Sequence, residues 1–589
     1  MNNFVIAIDF GTASSGFAFT VTRREEESEP FIKRWGAEEG ADTPKTPTCI
    51  LFDPDQTFMK FGYEAKSAYF KIKKQEAKNY YFFEDFKMDL YGKEITKDLK
   101  IKAANNKEIT ALKVFSESLR FLKDDALKTI RSNTGGMEFS ASDFIWVLTV
   151  PAIWDESAKQ FMRKAAIQAG IVTEETKDKL VIALEPEVAS VWSKKLPSNG
   201  FITQNQSRDS LDQTPGTQYI VVDCGGNCLM PSVVKSCDII LYQTLCISGG
   251  TIDITVHRIL KEGALKELHK ASGNNLGGQT VDRKFKEFLR EIFCDGVWEE
   301  YEENYQSEVQ KILYDFTFVK RVDGEIQIRC PYNLIKLARK KKDIERFFES
   351  VDGVFWCDGS IRISREKLRS FFDESLLGIS MRLREILNKD LSFDYILLVG
   401  GYAESQILRQ HINEEFGEDY KILCPFRPQE VILRGAIEFG RNPKMVTSRK
   451  SRFTYGVAVL KRFDESTHKL EKKHTAGGND WCKDIFKILV HEGEDLGWDE
   501  TREHVLRAVD SNQTGMSVRL FMTERKDPQY VDDWGVEEVG SFIVELSDLN
   551  SSRERKVKLK VKFGSTEITA TGTDMTTGEE HTVKFNFKT

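Results

Sequence analysis

The sequence contains no apolar run approaching the roughly 20 residues of a membrane span. Its first residues, MNNFVIAIDFGT, lack the basic stretch, long apolar core and small-residue cleavage site of a secretory signal. No span and no export are expected, which makes the cytoplasm the simplest address. Positive charge is not in excess either: 85 basic and 92 acidic residues are mixed along the chain, for a net charge of -7. That leaves no basic face to hold a phosphate backbone and argues against nucleic acid as a partner. The ten cysteines form no repeated Cys-x-x-Cys pairs, so reduced thiols are expected.

What is present is a chain of 589 residues, 40% of them hydrophobic, long enough for three or four globular units. The run Phe4 to Phe10 reads as a strand ending in Asp9-Phe10-Gly11-Thr12, and the alternating run Gly16 to Val21 follows as its hairpin partner. A comparable unit returns mid-chain, where Tyr219 to Val222 ends in Asp223-Cys224-Gly225-Gly226 and Thr251 to Val256 continues as a second strand. Two strand-turn-strand units with Asp and Gly at the turn predict an internal duplication. Between them, Phe144 to Val150 is a buried-type strand closed by Pro151, followed by helical spacing from Asp155 to Gly170. Further on, Tyr395 to Val399 runs through Gly400-Gly401 into a helical stretch over Glu404 to Phe416. Strand, glycine turn and helix in this alternation point to an α/β nucleotide fold. After about Lys444 the texture changes to short alternating strands, as in Val518 to Phe521 and Lys556 to Phe563, which predicts a β-sandwich.

An aspartate at a strand end, followed by Gly and Thr in a tight turn, can hold hydrated Mg²⁺ while backbone N–H groups wrap a phosphate. Asp9, Gly11 and Thr12 have that arrangement, and one such turn alone is also an ordinary polar strand end. A second unit facing it would let two carboxylate-bearing turns clamp the phosphates and the metal from both sides, with Asp9 paired to Asp223 or Asp253. Gly400 and Gly401 add a third turn, where absent side chains let an adenosine lie against the backbone.

At these motifs the sequence resembles the heat-shock protein 70 family, within the wider group that includes actin and sugar kinases. AIDFGT is similar to the family's first phosphate motif, DCGG with TID to its second, LEPEVAS to its connecting helix and LLVGG to its adenosine motif, in the same order. Phe61-Gly62-Tyr63-Glu64-Ala65-Lys66 is similar to the segment carrying the family's catalytic lysine. The wording of VDCGG and VTSRKSRFTYGV resembles an atypical branch of that family. The resemblance covers nearly the whole chain and implies an α/β, two-lobed actin-like ATPase fold of duplicated ribonuclease-H-like domains, with lobes over 1–215 and 216–444. A C-terminal β-sandwich over 445–589 would then resemble a peptide-binding domain, and a chain stopping at Thr589 would lack the helical lid. It also implies ATP or ADP and Mg²⁺ as cofactors, with Asp9 and Asp223 around the metal. Lys66, Glu185 and Asp253 would be catalytic. Gly11, Thr12, Gly225, Gly226, Gly250, Thr251, Gly400 and Gly401 would line the nucleotide, with Glu308 and Lys311 at its adenosine end. A peptide or protein client is the implied partner of the sandwich.

The sequence departs from the family pattern at several places. Ala13 replaces a hydroxyl residue, the adenosine clamp is reduced to Glu308 and Lys311, and Gln429 stands where an acidic residue is expected. The largest departure is Asn227 to Gly249, which separates the two halves of the second phosphate motif. It is either a buried extra strand or a translated stretch absent from the mature product. Its Cys228, Cys237 and Cys246 have no partner histidines and no tetrahedral ligand pattern, so a metal site there is disfavoured. Three functions compete: a slow ATPase whose nucleotide state changes the lobe angle and client binding, a nucleotide-binding adaptor with little or no hydrolysis, and a sugar or acyl-phosphate kinase.

Overall fold

A computed structural model describes the chain except residues 1–3, 22–28, 40–41, 73, 94, 97, 203–209, 226–250, 275, 342–347, 390, 509–512, 547–554 and 585–589. Four strands form the centre of a first sheet: β1 (Phe4–Phe10), β2 (Ser14–Thr20), β3 (Phe144–Val150) and β4 (Leu180–Leu184). Their order is β4-β3-β1-β2, with β1 antiparallel to β2 and parallel to β3. Every residue of β1 is buried, because a central strand covered on both faces needs a continuous apolar run rather than alternation.

A second sheet is built on β5 (Gln218–Cys224), β6 (Ile252–Ile259), β7 (Leu265–Asn274), β8 (Tyr395–Val399), β9 (Lys421–Pro425) and β10 (Val446–Lys450). Its order is β9-β8-β5-β6-β7-β10, with β5 antiparallel to β6 and parallel to β8. The pairings around β5 thus match those around β1. Asp9 is the penultimate residue of β1, and Asp223 is the penultimate residue of β5.

The helices that carry site residues or close the core are α1 (Gly62–Lys71), α2 (Glu156–Gln168), α3 (Glu185–Ser193), α4 (Gly278–Ile292), α5 (Gln306–Val319), α6 (Gln406–Phe416) and α7 (Val431–Arg441). The Asp155 carboxylate caps α2 by accepting the Ala158 N–H at 2.8 Å, directly after the strand that Pro151 terminates. Helix α7 crosses α3 so closely that a Cβ on Gly435 would lie 1.7 Å from the Val188 carbonyl oxygen. Only glycine permits that approach. Among the described residues no helix is long and apolar enough to cross a membrane.

After β10 the chain forms two antiparallel sheets. One holds Thr454–Arg462, Lys473–Ala476, Asn479–Val490, Gly515–Thr523 and Val536–Glu545, and the other Thr501–Arg507, Lys556–Lys562, Thr569–Asp574 and Glu580–Lys584. Val457, Leu520 and Val544 of the first share one apolar core with Val557, Leu559 and Val561 of the second.

This C-terminal unit is fastened to the first sheet's side of the molecule by buried ions. Arg163 of α2 grips Glu567 through two bonds of 2.6 and 2.5 Å, and Thr566 donates to the Ile182 carbonyl at 2.6 Å. Arg449 of β10 grips Glu187 of α3 at 2.6 and 2.7 Å and donates to the Gly564 carbonyl at 2.9 Å. Bidentate guanidinium–carboxylate pairs fix orientation as well as distance.

Candidate functional site

The carboxyl ends of β1, β5 and β8 converge on one cleft, and the turns that follow them supply its walls: Gly11 and Thr12, then Gly225, then Gly400 and Gly401. The Gly225 N–H donates to the Thr251 carbonyl at 2.8 Å, which closes the β5–β6 hairpin. Gly400 has φ of +86°, and a Cβ there would lie 2.5 Å from both the Asp223 carboxylate and the Cys224 carbonyl. Removing side chains from such turns leaves backbone as the wall presented to a ligand.

Four carboxylates gather at this place. Asp9 accepts from the Thr149 hydroxyl at 3.1 Å and faces the Lys45 ammonium at 2.5 Å. Glu185, at the start of α3, accepts from Lys87 at 2.8 Å. Asp253 lies opposite Asp223 in the β5–β6 register and accepts the Ile153 N–H at 3.2 Å. Among the described residues, one buried oxygen of Asp223 has no hydrogen-bond partner.

Crowding carboxylates out of water raises the pKa of three of them, Asp223, Asp253 and Glu185. Burial, reinforced by Glu185 and then by Asp253 and Asp9, pushes the Asp223 carboxyl well above the usual range. Burial and Glu185 raise Asp253 to about 7. Glu185 is also raised by burial, against the pull of Lys87. Desolvation penalises the charged form, and a second carboxylate nearby adds to the penalty. Burial alone would lower Lys45, but Asp9, Glu185 and Asp223 outweigh it and leave its ammonium more firmly protonated than usual.

The structure brings Asp9, Gly11, Thr12, Glu185, Asp223, Gly225, Thr251, Gly400 and Gly401 of the expected set to this cleft, and Asp253 stands behind it on β6. Gly226, Gly250 and the stretch Asn227 to Gly249 fall outside the described residues. Lys66 of α1 is not part of the cleft wall. Its ammonium stands 3.5 Å from Glu84, in a buried polar group that also holds Asp85, to which Gln279 of α4 donates at 2.6 Å. Glu308 and Lys311 lie on α5, apart from the wall: Glu308 accepts from Tyr301 at 3.2 Å and Asn333 at 2.6 Å, while Lys311 pairs with Asp315 on the same helix at 3.1 Å.

Two cleft residues have no sequence motif of their own. Lys87 follows the strand Tyr81–Glu84 in a short helical turn, buried, with its ammonium over the Trp154 ring at 5.3 Å. Lys45 sits between Pro44 and Thr46 in a loop far from any phosphate-type turn in the sequence. The nearest signal is for Lys87, which follows the aromatic stretch Tyr80 to Phe83 and Phe86; the polar loop around Lys45 carries none.

The chain is 32% identical over 640 residues to the heat shock 70 kDa protein 12A of Homo sapiens, an alignment that takes in 99% of this chain and 91% of that protein. Similarity to the heat shock 70 kDa protein 12B of Homo sapiens is 31% over 627 residues, with 99% of this chain and 91% of that protein covered. A more distant match, the chaperone protein HscA homolog of Acinetobacter baumannii (strain AYE), is 22% identical over 335 residues, which is 56% of this chain and 40% of that protein. No family model matches the chain.

Proposed function

Because the chain belongs to the heat shock protein 70 family, in its 12A/12B branch, we propose that the cleft binds ATP or ADP and that the protein is a slow hydrolase coupling nucleotide state to a client or partner. The observation that carries this reading is the matched placement of Asp9 and Asp223. Both are penultimate residues of central strands with the same pairings, and both open onto one cleft among glycine turns. On this reading the two sheets are duplicated actin-like lobes over 1–215 and 216–444, and the two C-terminal sheets over 445–589 are a β-sandwich that meets extended peptide.

The donor set determines how a divalent ion would fit. Among the described residues no three His, Cys, Asp or Glu side chains converge as ligands, and Asp9 already faces Lys45. The buried oxygen of Asp223 that has no partner among the described residues would suit a hydrated Mg²⁺ held through its water shell, with Asp9 close by. When bound with the nucleotide, such an ion would supply counter-charge to the phosphates.

The remaining work falls to the chain's own groups. The backbone at Gly11, Thr12 and Gly401 holds the phosphates, and Gly225 and Gly400 keep their walls flat. Lys87 takes the part that the family resemblance gives to Lys66, since Lys87 lines the cleft and pairs with Glu185 there, whereas Lys66 does not line it. Glu185 orients the Lys87 ammonium, and Asp253, behind the cleft on β6 and raised to about 7, takes the part of proton acceptor near neutral pH.

A second reading, a nucleotide-binding adaptor without turnover, is favoured by the same crowding of acids. A carboxyl held protonated by burial is no base. Calorimetric titration with ATP and ADP tests the first step, and absence of binding to either removes both readings. Single-turnover hydrolysis then separates hydrolase from adaptor, and added small sugars test phosphoryl transfer.

A further inference from the structure

Lys45 is fixed in the cleft by a strap running from Thr43 to Thr48. The Thr43 hydroxyl donates to the Lys45 carbonyl at 2.7 Å and bonds the Tyr63 hydroxyl at 3.1 Å. Ser15 and Ser14 of β2 pair with Thr46 and Pro47 as strand partners. The Tyr63 N–H at the start of α1 donates to the Thr46 hydroxyl at 3.1 Å. At the far end the Thr48 hydroxyl donates to the Gly11 carbonyl at 2.7 Å, inside the first phosphate-type turn.

The lysine stem passes over β2, where a side chain on Gly16 would strike the Pro44 carbonyl and the Lys45 Cγ. A side chain pinned at both flanks and along its stem loses little further freedom when it meets a ligand.

The ammonium at the end of that stem stands 2.5 Å from Asp9, with an 11% exposed side chain, within reach of the fields of Asp223 and Glu185. A point cation among three carboxylates at the mouth of glycine turns is the electrostatic position in which a phosphate-bound metal ion is otherwise needed. Lysine is a compact, strongly hydrated point charge and can take that role without directional ligation.

We infer that Lys45 is a tethered counter-cation for the phosphates of a nucleoside di- or triphosphate, and that it lowers the dependence of binding on a divalent ion. The inference rests on the nucleotide reading of the cleft, and it adds a chemical role to a residue outside every motif.

Calorimetric titration of the full chain with ADP and ATP, once with Mg²⁺ in excess and once with EDTA, tests it in the wild type and in Lys45→Met and Lys45→Arg. The wild type is expected to lose less than about tenfold in affinity when Mg²⁺ is removed, which is about 1.4 kcal/mol. Lys45→Met is expected to lose at least about a hundredfold on the same change, about 2.7 kcal/mol. Lys45→Arg is expected to behave as the wild type, since it keeps the charge. The inference is overturned if the wild type and Lys45→Met depend equally on Mg²⁺, or if Lys45→Met binds nucleotide as well as the wild type in EDTA. Should Lys45→Met not melt cooperatively, Lys45→Gln takes its place with the same two outcomes. A wild type that binds no nucleotide under either condition fails the underlying reading as well, and so is distinguishable from failure of the lysine's role alone.

Discussion

Asp223 and Asp253 face each other in register across the antiparallel pair β5–β6, one buried carboxyl on each strand, Asp223 in the cleft wall and Asp253 behind it. Like charges opposite one another destabilise a strand pair, so this pair persists by holding protons that isolated aspartates would release. Burial and Glu185 bring Asp253 to about 7, and Asp223 lies well above its ordinary range. The site is therefore set to change its charge near neutral pH.

The first prediction concerns turnover. If Asp253 accepts a proton during the reaction, single-turnover hydrolysis should rise with pH through about 7, and Asp253→Asn should abolish the rise. A flat profile in the wild type would remove Asp253 from the chemistry.

The raised pKa also acts on stability, with the opposite sense. A carboxyl whose pKa is higher in the folded state binds its proton more tightly when folded. Its contribution is complete below the ordinary aspartate range and is lost as pH rises through about 7. Denaturant unfolding from pH 5 to 8 should show the wild type losing stability relative to Asp253→Asn, by a few kcal/mol at most, since each tenfold difference in proton affinity is worth about 1.4 kcal/mol. Parallel curves for the two proteins would contradict the assignment.

Lys87 and Lys66 give contrasting variants. Lys87→Met should lower single-turnover hydrolysis by about 10²-fold or more while nucleotide affinity changes less, as expected for a donor aimed at developing charge. It should also cost roughly 3–5 kcal/mol in stability, because Glu185 is left buried and unpaired; adding Glu185→Gln should recover part of that loss. Lys66→Met should leave turnover within a few-fold and act on stability through Glu84. The reverse pattern would return the catalytic role to Lys66.

Gly435→Ala tests the crossing of α3 and α7. A methyl group 1.7 Å from the Val188 carbonyl oxygen forces the helices apart, and overpacking of this kind costs about 1–3 kcal/mol or more. Thermal unfolding should show a melting temperature lowered by several degrees. An unchanged value would mean that the two helices can separate at this crossing without cost.

Much of the site could be read from the sequence because its turns are built from local chain. Asp9-Phe10-Gly11-Thr12 and Leu398-Val399-Gly400-Gly401 carry strand end, turn and glycine within a few residues, and the structure places both turns at the cleft. The pairing of β5 with β6 was legible too, since both runs are β-branched and apolar and their register closes at Cys224 and Ile252. Lys45 and Lys87 were not legible, because what brings them to the cleft is long-range: the strap's bond to Gly11 and the ion pair to Glu185 span distant parts of the chain. Lys66 shows the converse. Its local wording suggested the cleft, but the ammonium extends from α1 toward Glu84, and sequence spacing does not fix which neighbour a long side chain meets.

Arg449 has a consequence for the molecule as a whole. Its guanidinium holds Glu187 on the helix after β4, the Gly564 carbonyl in the C-terminal unit and the Trp498 ring at 4.8 Å, while its own backbone belongs to the second sheet. One side chain is thus a shared boundary of three bodies, and none can pull away without stripping a buried charge of partners. Heat should therefore find a single weak point where the order of the motifs suggests three, and a calorimetric scan should register one cooperative event rather than a staircase.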